Sequence, residues 1–253
     1  CDWSSDVCSS DLIDDLNVSY YIDSSLKEDS STFFQSSSLD CPIRTIFESK
    51  EDEILFSEKP DYNSSSSVKP SDALEFLRVI GKLKRLERTG WIHHKIRNPE
   101  SVADHSYRLS MASLLITDPL IDKNRLVRLV LVHDLAESLV GDIVTVGPFK
   151  DKRYTIEDKK RMEHDAIKKI TKNLKNKEIS EEIYRLWKEF EDQITPESQL
   201  GKDLDKFDCM LQADEYEQLQ GKNLQDFFET TKGVFLHPEV QQWDSYLRNE
   251  RNE

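Results

Sequence analysis

The sequence predicts an all-α domain over residues 71–250, preceded by an extension without regular structure. Apolar residues recur at helical spacing from Ser71 onward, which places them on one face of each helix. Helix-boundary signals divide this region, as at Thr195-Pro196, where a capping hydroxyl precedes Pro at the first helical position. No segment alternates apolar and polar residues as a half-buried strand does, and no internal repeat is visible.

The predicted helices follow one another with short connections. Ser71 is the predicted N-cap of the first helix, whose apolar positions are Ala73, Leu74, Leu77, Ile80 and Leu83. Further helices are predicted near residues 101–117, 123–141, 155–175, 180–192, 196–219, 223–230 and 239–250. Pro119 ends the helix near 101–117, and one apolar stripe is formed by Ile183, Leu186, Trp187 and Phe190.

The first 70 residues differ in composition from the rest of the chain. They hold 15 acidic and 5 basic residues, and so account for -10 of the formal net charge of -14. Residues 1–12 resemble a translated sequencing adapter and are expected to be an artefact. Residues 13–70 are rich in Ser and acidic side chains and show no sustained period, so they are expected to form a disordered acidic extension.

The composition excludes several classes of protein. An acidic surface disfavours binding to nucleic acid polymers or anionic membranes, which needs a positive field. No apolar run reaches membrane-spanning length, and the N-terminus lacks the pattern of a signal or transit peptide. The four cysteines form no C-x-x-C pair, which predicts an intracellular protein of the cytoplasm or nucleus. The seven glycines build no phosphate-binding loop or nucleophile elbow.

Polar residues interrupt an apolar helical run in the stretch RLVLVHDLAESLVGD. On a continuous helix His133 and Glu137 project from one face, with Asp134 beside them. Buried carboxylates usually neutralise, pair or bind a metal, so this helix is a candidate metal site. The alternative is a core histidine bonded to a carbonyl, with the acids solvated on an outer face.

Two other segments offer metal-capable side chains. His105 lies near the start of one apolar helix, and Asp203, Asp205 and Asp208 lie on another. Three helices can therefore direct imidazoles and carboxylates toward a common centre, a set of ligands that needs no cysteine.

These residues resemble a known family. DHS at His105, HDLAE from His133, the GD that contains Asp142, and Asp205 resemble the signature of HD-domain metal-dependent phosphohydrolases. The similarity to the 5'-deoxynucleotidase group, which includes eukaryotic HD-domain-containing proteins, extends over residues 72–240, for example in FLRVIGKLKRLERTGW and NPESVADHSYRLSMA.

The resemblance implies a metal-dependent phosphomonoesterase with an HD-domain helical bundle. Its expected metal ligands are His105, His133, Asp134 and Asp205. Glu137 is implied to orient or deprotonate the attacking water, and Asp142 to assist there or at the leaving oxygen. In some members of the family these two residues also contact metal ions. The ligand set suits Mn²⁺ or Co²⁺, also Fe or Zn, and admits Mg²⁺.

The resemblance also implies the substrate and its contacts. The expected substrates are 2'-deoxyribonucleoside 5'-monophosphates, hydrolysed to deoxynucleoside and phosphate by a homodimeric enzyme. Arg88 and Trp91 match positions near the nucleotide, with a helix-end Arg and a core Trp as the alternative reading. Many relatives have Arg-Asn where this chain has His94-Lys95, which places the phosphate clamp in doubt.

The other histidines are not expected to bind metal, because the ligand set is complete without them. His93 and His94 are predicted to be exposed loop residues, His164 a surface residue and His237 a structural one. Two alternative functions stay open: an HD hydrolase of another phosphoester, and a non-catalytic HD module that binds nucleotides or proteins.

Overall fold

The computed structural model describes residues 67–145 and 149–251, and this part of the chain is built from helices. Its only pairing of strand type is an isolated bridge between Glu87 and Ser101. The all-α prediction is therefore confirmed. The α-helices are α1 Pro70–Ile80, α2 Thr89–His93, α3 Val102–Leu115, α4 Lys123–Val132, α5 Glu137–Val140, α6 Ile156–Lys172, α7 Lys177–Asp192, α8 Pro196–Gln220, α9 Gln225–Thr230 and α10 Pro238–Glu250, and a 3-10 helix spans Gly81–Arg85.

Several helix ends follow the capping signals of the sequence. Ser101 and Asp104 form a reciprocal capping box at the start of α3, and Thr195 caps α8 ahead of Pro196. Each box satisfies backbone N–H groups that have no partner within the helix. The first helix departs from the prediction, since it begins at Pro70 and Lys69 occupies the N-cap position instead of Ser71.

The predicted helix over residues 123–141 is wrong as a continuous element. Helix α4 ends at Val132, and a turn over 133–136 leads into the short α5. The turn is tightened by i to i+3 bonds, from Leu135 N to Val132 O at 3.1 Å and from Glu137 N to Asp134 O at 3.0 Å. His133 and Glu137 consequently do not lie on one face of a regular helix.

Helix α8 runs through the main hydrophobic core. Its residues Leu200, Leu204 and Met210 are buried against α3, α4, α7, α9 and α10. The predicted stripe of α7 is confirmed, because Leu186, Trp187 and Phe190 are buried and Ile183 is partly buried against them. This packing brings α3, α4 and α8 together at the level of His105 and His133.

A close approach between α8 and its neighbours occurs at Gly201. A Cβ atom built there would lie 2.9 Å from Phe190 Cε2 and 3.4 Å from Val130 Cγ1. The buried Phe190 ring also packs against His133, with 4.9 Å between ring centroids. Only a glycine therefore fits this crossing without displacing a ring that supports His133.

Gly201→Val is expected to lower the free energy of unfolding by about 1–3 kcal/mol, because the added side chain overpacks the core. Chemical denaturation measures this loss. Gly81→Val is the matched control, since nothing lies within 4 Å of a Cβ at Gly81 and its φ is -59°. Equal stabilities of the two variants would contradict the proposed close packing.

The N-terminal predictions lie outside the described residues. They are the artefact over 1–12 and most of the disordered extension over 13–70, of which only 67–70 are described. Within the described residues, no helix is both long and apolar enough to cross a membrane.

Candidate metal centre

Three segments of the chain bring imidazole and carboxylate groups to one point. Helix α3 supplies His105, the turn after α4 supplies His133 and Asp134, and α8 supplies Asp205. His105, His133 and Asp134 each direct one ligand atom to within 4.8 Å of the other two. Asp134 Oδ2 lies 3.0 Å from His133 Nε2 and 3.9 Å from His105 Nε2.

Both imidazoles are oriented by hydrogen bonds on the side away from this point. His105 Nδ1 donates to Asp208 Oδ2 at 2.6 Å, and His133 Nδ1 donates to the carbonyl of Val130 at 2.7 Å. The two Nε2 atoms are buried and form no hydrogen bond with any described residue. Because a buried polar atom without a partner is costly, and because the opposite nitrogen of each ring is fixed by a hydrogen bond, these two Nε2 atoms have the arrangement of metal ligands.

The three aspartates of α8 have different surroundings. Asp205 Oδ1 lies 3.3 Å from His105 Nε2, and its Oδ2 accepts a hydrogen bond from Lys202 at 2.9 Å. Asp208 lies behind His105, as described above. Asp203 faces the opposite side and accepts from the backbone N–H groups of Leu236 and His237. Of these aspartates, only Asp205 reaches the centre, although it is not part of the trio whose ligand atoms are all mutually close.

The charges of the centre stabilise one another. Burial and the charge of Arg88 disfavour the charged form of His105, but the nearby carboxylates of Asp205 and Asp208 outweigh this cost and raise its pKa to about 9. A cation bound at Nε2 would take the place of the proton that this imidazolium carries there. Burial would raise the pKa of Asp134, yet the neighbouring His133 and Arg88 lower it below its usual value. The pKa of Asp205 is likewise lowered by Lys202 and His105 in spite of its burial. Both carboxylates are therefore anionic at neutral pH.

A second layer of charged side chains holds Asp208 in place. Arg108 Nε donates to Asp208 Oδ1 at 2.5 Å, and Arg108 also bonds to Glu215 at 2.8 Å. Glu100, His105 and Asp208 form a further cluster of metal-capable groups. The bond from His105 Nδ1 occupies Asp208, so this cluster serves to orient the imidazole.

Glu137 is buried beside the metal centre, close to other charged side chains. Its side chain is buried, and Oε2 has no hydrogen-bond partner among the described residues. Burial and the charges of Asp134 and Asp142 raise the pKa of Glu137 well above its usual value. Lys159 of α6 lies 3.6 Å from Glu137 Oε1 and 3.4 Å from Glu163 Oε1, and so links the two carboxyl groups.

Asp142 is positioned by a reciprocal pair of bonds with Thr89. Its Oδ2 accepts from the Thr89 backbone N–H at 2.6 Å, and the Thr89 hydroxyl donates to the Asp142 carbonyl at 2.7 Å. Gly141 precedes it with φ +82°, a conformation that favours glycine. The GD dipeptide thus turns the chain so that Asp142 borders a cavity beside the centre.

The two predicted substrate residues have different environments. Arg88 Nη1 donates to Asp134 Oδ2 at 3.1 Å and Nη2 donates to Cys209 Sγ at 3.4 Å, so the guanidinium borders both the centre and the cavity. Trp91 is 2% exposed, and its Nε1 donates to Glu100, as expected from the core reading. Part of its ring also lines the cavity.

The remaining histidines lie outside the trio. His237 caps α10, in agreement with a structural role. The prediction for His94 is wrong, because its side chain is 14% exposed and lines the cavity, whereas His93 is exposed at the end of α2. His164 is half-buried and bonds to the Tyr184 hydroxyl at 3.0 Å, so it is not on the open surface.

Sequence reasoning missed several residues of the site. Lys159 was not distinguished among the charged residues of α6, and Cys209 showed no pairing motif. Phe149 and Phe227 also line the cavity, from segments distant in sequence. A partly buried lysine between two glutamates becomes visible only in the folded chain.

The donor set fits a divalent cation. Two oriented imidazole nitrogens and one or two anionic carboxylates are typical of first-row transition metals, and water and phosphate oxygens complete such sites. Apolar side chains frame the imidazoles, as the ring of Phe190 does against His133. The alternative of a core histidine with solvated acids does not describe this arrangement, because Asp134 and Glu137 point inward.

Comparison with known proteins yields consistent matches. The HD-domain family profile matches residues 80–243. The chain is 43% identical over 190 residues to the 5'-deoxynucleotidase HDDC2 of Mus musculus, covering 74% of this chain and 92% of that protein. It is 47% identical over 169 residues to the 5'-deoxynucleotidase HDDC2 of Danio rerio, covering 66% and 82%. The solved structure of the HD domain-containing protein YGK1 superposes on this chain with a TM-score of 0.57 and 30% sequence identity, and the match covers 74% of this chain and 89% of that one. The YGK1 protein of Saccharomyces cerevisiae is named a 5'-deoxynucleotidase.

Proposed function

The chain belongs to the HD-domain family, and from this membership we propose that it is a metal-dependent 5'-deoxynucleotidase. It hydrolyses 2'-deoxyribonucleoside 5'-monophosphates to a deoxynucleoside and inorganic phosphate. The observation that carries this proposal is the pair of buried, unpartnered Nε2 atoms of His105 and His133, turned toward Asp134 beside an open cavity.

The proposed ligands of the cation are His105, His133, Asp134 and Asp205. When bound, a divalent cation supplies Lewis-acid stabilisation of the charge on the phosphoryl oxygens. This ligand set accepts Mn²⁺ or Co²⁺, and Mg²⁺ where oxygen ligands complete the site. Asp208 keeps His105 in the tautomer whose Nε2 is free, and the Val130 carbonyl does the same for His133.

Glu137 is the proposed general base. Its Oε2 has no partner among the described residues and is buried next to Asp134. A bound cation would offset the negative charges that raise the pKa of Glu137, and in the ionised form Oε2 could orient a water molecule and accept its proton. Lys159 lies within 3.6 Å of the other oxygen and holds the carboxylate by ion pairing. Lys159 acts through Glu137 and is therefore a positioning residue.

Arg88 and Asp142 are proposed to position the phosphate ester. The guanidinium of Arg88 matches the geometry of phosphate oxygens and borders the metal centre. Asp142, which accepts a hydrogen bond from Thr89, is proposed to assist at the leaving oxygen. A contact with a further cation is proposed as a second role for Asp142 and Glu137. Trp91 is proposed to contact the nucleotide, since it is one of the residues that line the cavity.

The test of this function is phosphate release from a panel of deoxyribo- and ribonucleoside monophosphates. We expect release from the deoxyribonucleotides with Mn²⁺ or Co²⁺ present, and loss of activity with a chelator that added metal reverses. Nucleotide binding without phosphate release would favour the non-catalytic module instead. Activity confined to other phosphoesters would favour a different HD hydrolase.

Asp208→Asn is expected to weaken the binding of Mn²⁺ about 10- to 100-fold, because the amide no longer orients His105 as an anionic acceptor. Titration calorimetry measures the affinity. Glu215→Gln is the matched control, since Glu215 contacts the same Arg108 but not His105. Unchanged affinity for Mn²⁺ in Asp208→Asn would contradict the proposal that Asp208 orients His105 as a metal ligand.

Three broader expectations stay proposals. The HD domain is proposed to begin near residue 71, with the acidic extension outside it. A homodimer is proposed, and the exposed apolar side chains of α3 offer a surface for it: Tyr107, Met111, Leu114 and Leu115. Light scattering after size-exclusion chromatography tests the dimer. The location in the cytoplasm or nucleus rests on the cysteine pattern alone.

A further inference from the structure

We propose that the cavity beside the metal centre binds the nucleobase and that His94 and Asp226 determine which bases it accepts. This inference rests on the proposed 5'-deoxynucleotidase function and specifies the recognition of its substrate. The base cavity, as we call it, has a volume of about 410 Å³ and is lined chiefly by Arg88, Trp91, His94, Phe149, Asp226 and Phe227. Its size is within the range of about 300–1,000 Å³ typical of small-molecule sites.

The position of the base cavity fits the shape of a nucleoside monophosphate. Arg88 belongs both to its wall and to the metal centre, where it contacts Asp134. Asp142 also borders the cavity on this side. A phosphate bound by Arg88 beside the proposed metal ligands would have the cavity as the adjoining space for the rest of the nucleotide.

Aromatic rings form a large part of the wall of the base cavity. The ring centroid of His94 lies 4.8 Å from that of Phe149 and 5.3 Å from that of Phe227. Trp91 stacks on Phe227 at 4.6 Å, which holds the second ring in place. Every nucleobase has a flat face that stacks on aromatic rings, so such a wall binds bases without selecting one of them.

The selective element is a pair of polar side chains set into this apolar wall. His94 Nε2 lies 3.4 Å from Asp226 Oδ2, and both residues line the cavity. A carboxylate accepts hydrogen bonds from the exocyclic amino groups of adenine, cytosine and guanine. Thymine has no exocyclic amino group. The cavity is therefore expected to favour amino-bearing bases over thymine.

His94 belongs to both parts of this wall, the aromatic rings and the polar pair. The structure places His94 in the wall of the base cavity and outside the group of proposed metal ligands. An imidazole contributes both a flat ring for stacking and a polar edge for Asp226. The residue therefore belongs to base recognition.

The experiment compares kcat and KM for dAMP, dCMP, dTMP and 2-deoxyribose 5-phosphate, which has no base. If the wild type does not turn over the sugar phosphate, its inhibition constant is measured instead. Phe149→Ala is expected to raise KM for the nucleotides about 10-fold through the loss of stacking, with little change in kcat or for the sugar phosphate. Tyr246→Ala is the matched control, since this exposed ring lies on α10 and does not line the cavity.

Asp226→Asn tests base selection. The amide keeps the shape of the side chain and adds a donor that thymine O4 can accept, so the ratio of kcat/KM for dCMP over dTMP is expected to fall about fivefold or more. Unchanged KM values in Phe149→Ala together with an unchanged base ranking in Asp226→Asn would overturn the base cavity. Equal losses for nucleotides and the sugar phosphate would overturn it as well. Absence of nucleotide hydrolysis by the wild type would instead reject the proposed function.

Discussion

Glu137→Gln is expected to lower kcat by about 10²- to 10⁴-fold, the usual contribution of a general base. The amide retains the volume of the side chain but accepts no proton from water. Glu137 Oε2 is buried beside Asp134 without a partner among the described residues, which leaves it available for this step. Since Glu137 is not one of the four principal ligands proposed here, the affinity for the cation should change little.

Steady-state phosphate release and metal titration on the same preparation measure the two effects separately. Glu157→Gln is the matched control, because Glu157 is an exposed residue in the first turn of α6, the helix that supplies Lys159. A large loss of kcat with intact metal binding supports the role of Glu137 as base. Full activity in Glu137→Gln would reject that role, and a parallel loss of metal would identify Glu137 as a principal ligand instead.

His133→Ala is expected to weaken divalent-cation binding by more than about 100-fold, which exceeds the effect of losing an outer residue such as Asp208. The imidazole has its Nδ1 fixed on the Val130 carbonyl and presents Nε2 to Asp134, so its removal deletes an oriented ligand. Phosphate release should fall with metal occupancy and recover only in part at high metal concentration.

The control for His133→Ala is His164→Ala, which removes an imidazole that bonds to Tyr184 and lies outside the ligand trio. Because His133 also packs on Phe190, His133→Asn provides a variant with less loss of volume. Thermal unfolding of all three variants without metal separates a folding defect from a ligand defect. Metal affinity equal to that of the wild type in both His133 variants would remove His133 from the proposed ligand set.

The parts of the fold that depend on local chemistry could be predicted from the sequence. The Thr195-Pro196 cap and the apolar stripe of α7 are local patterns, and the structure contains both. The break after Val132 was missed because the apolar period continues through it. It depends on i to i+3 hydrogen bonds that arise when the turn packs against its neighbours.

The candidate site also has features that could be predicted from the sequence and features that could not. The convergence of His105, His133 and Asp134 was anticipated from motif resemblance, and the structure brings their ligand atoms together. The contact of Lys159 with Glu137 joins two consecutive helices across the loop between α5 and α6, and that of His94 with Asp226 joins the end of α2 to α9. Such pairs leave no local pattern, because many charged side chains on a helix surface have the same spacing but remain solvated.

Anomalous diffraction from crystals grown with Mn²⁺ tests the central claim most directly. The account predicts one strong peak per chain among the Nε2 atoms of His105 and His133 and the carboxylates of Asp134 and Asp205. No peak at this position, in crystals that bind Mn²⁺ elsewhere, would contradict the proposed centre. A peak there without Asp205 among its ligands would contradict the part assigned to α8.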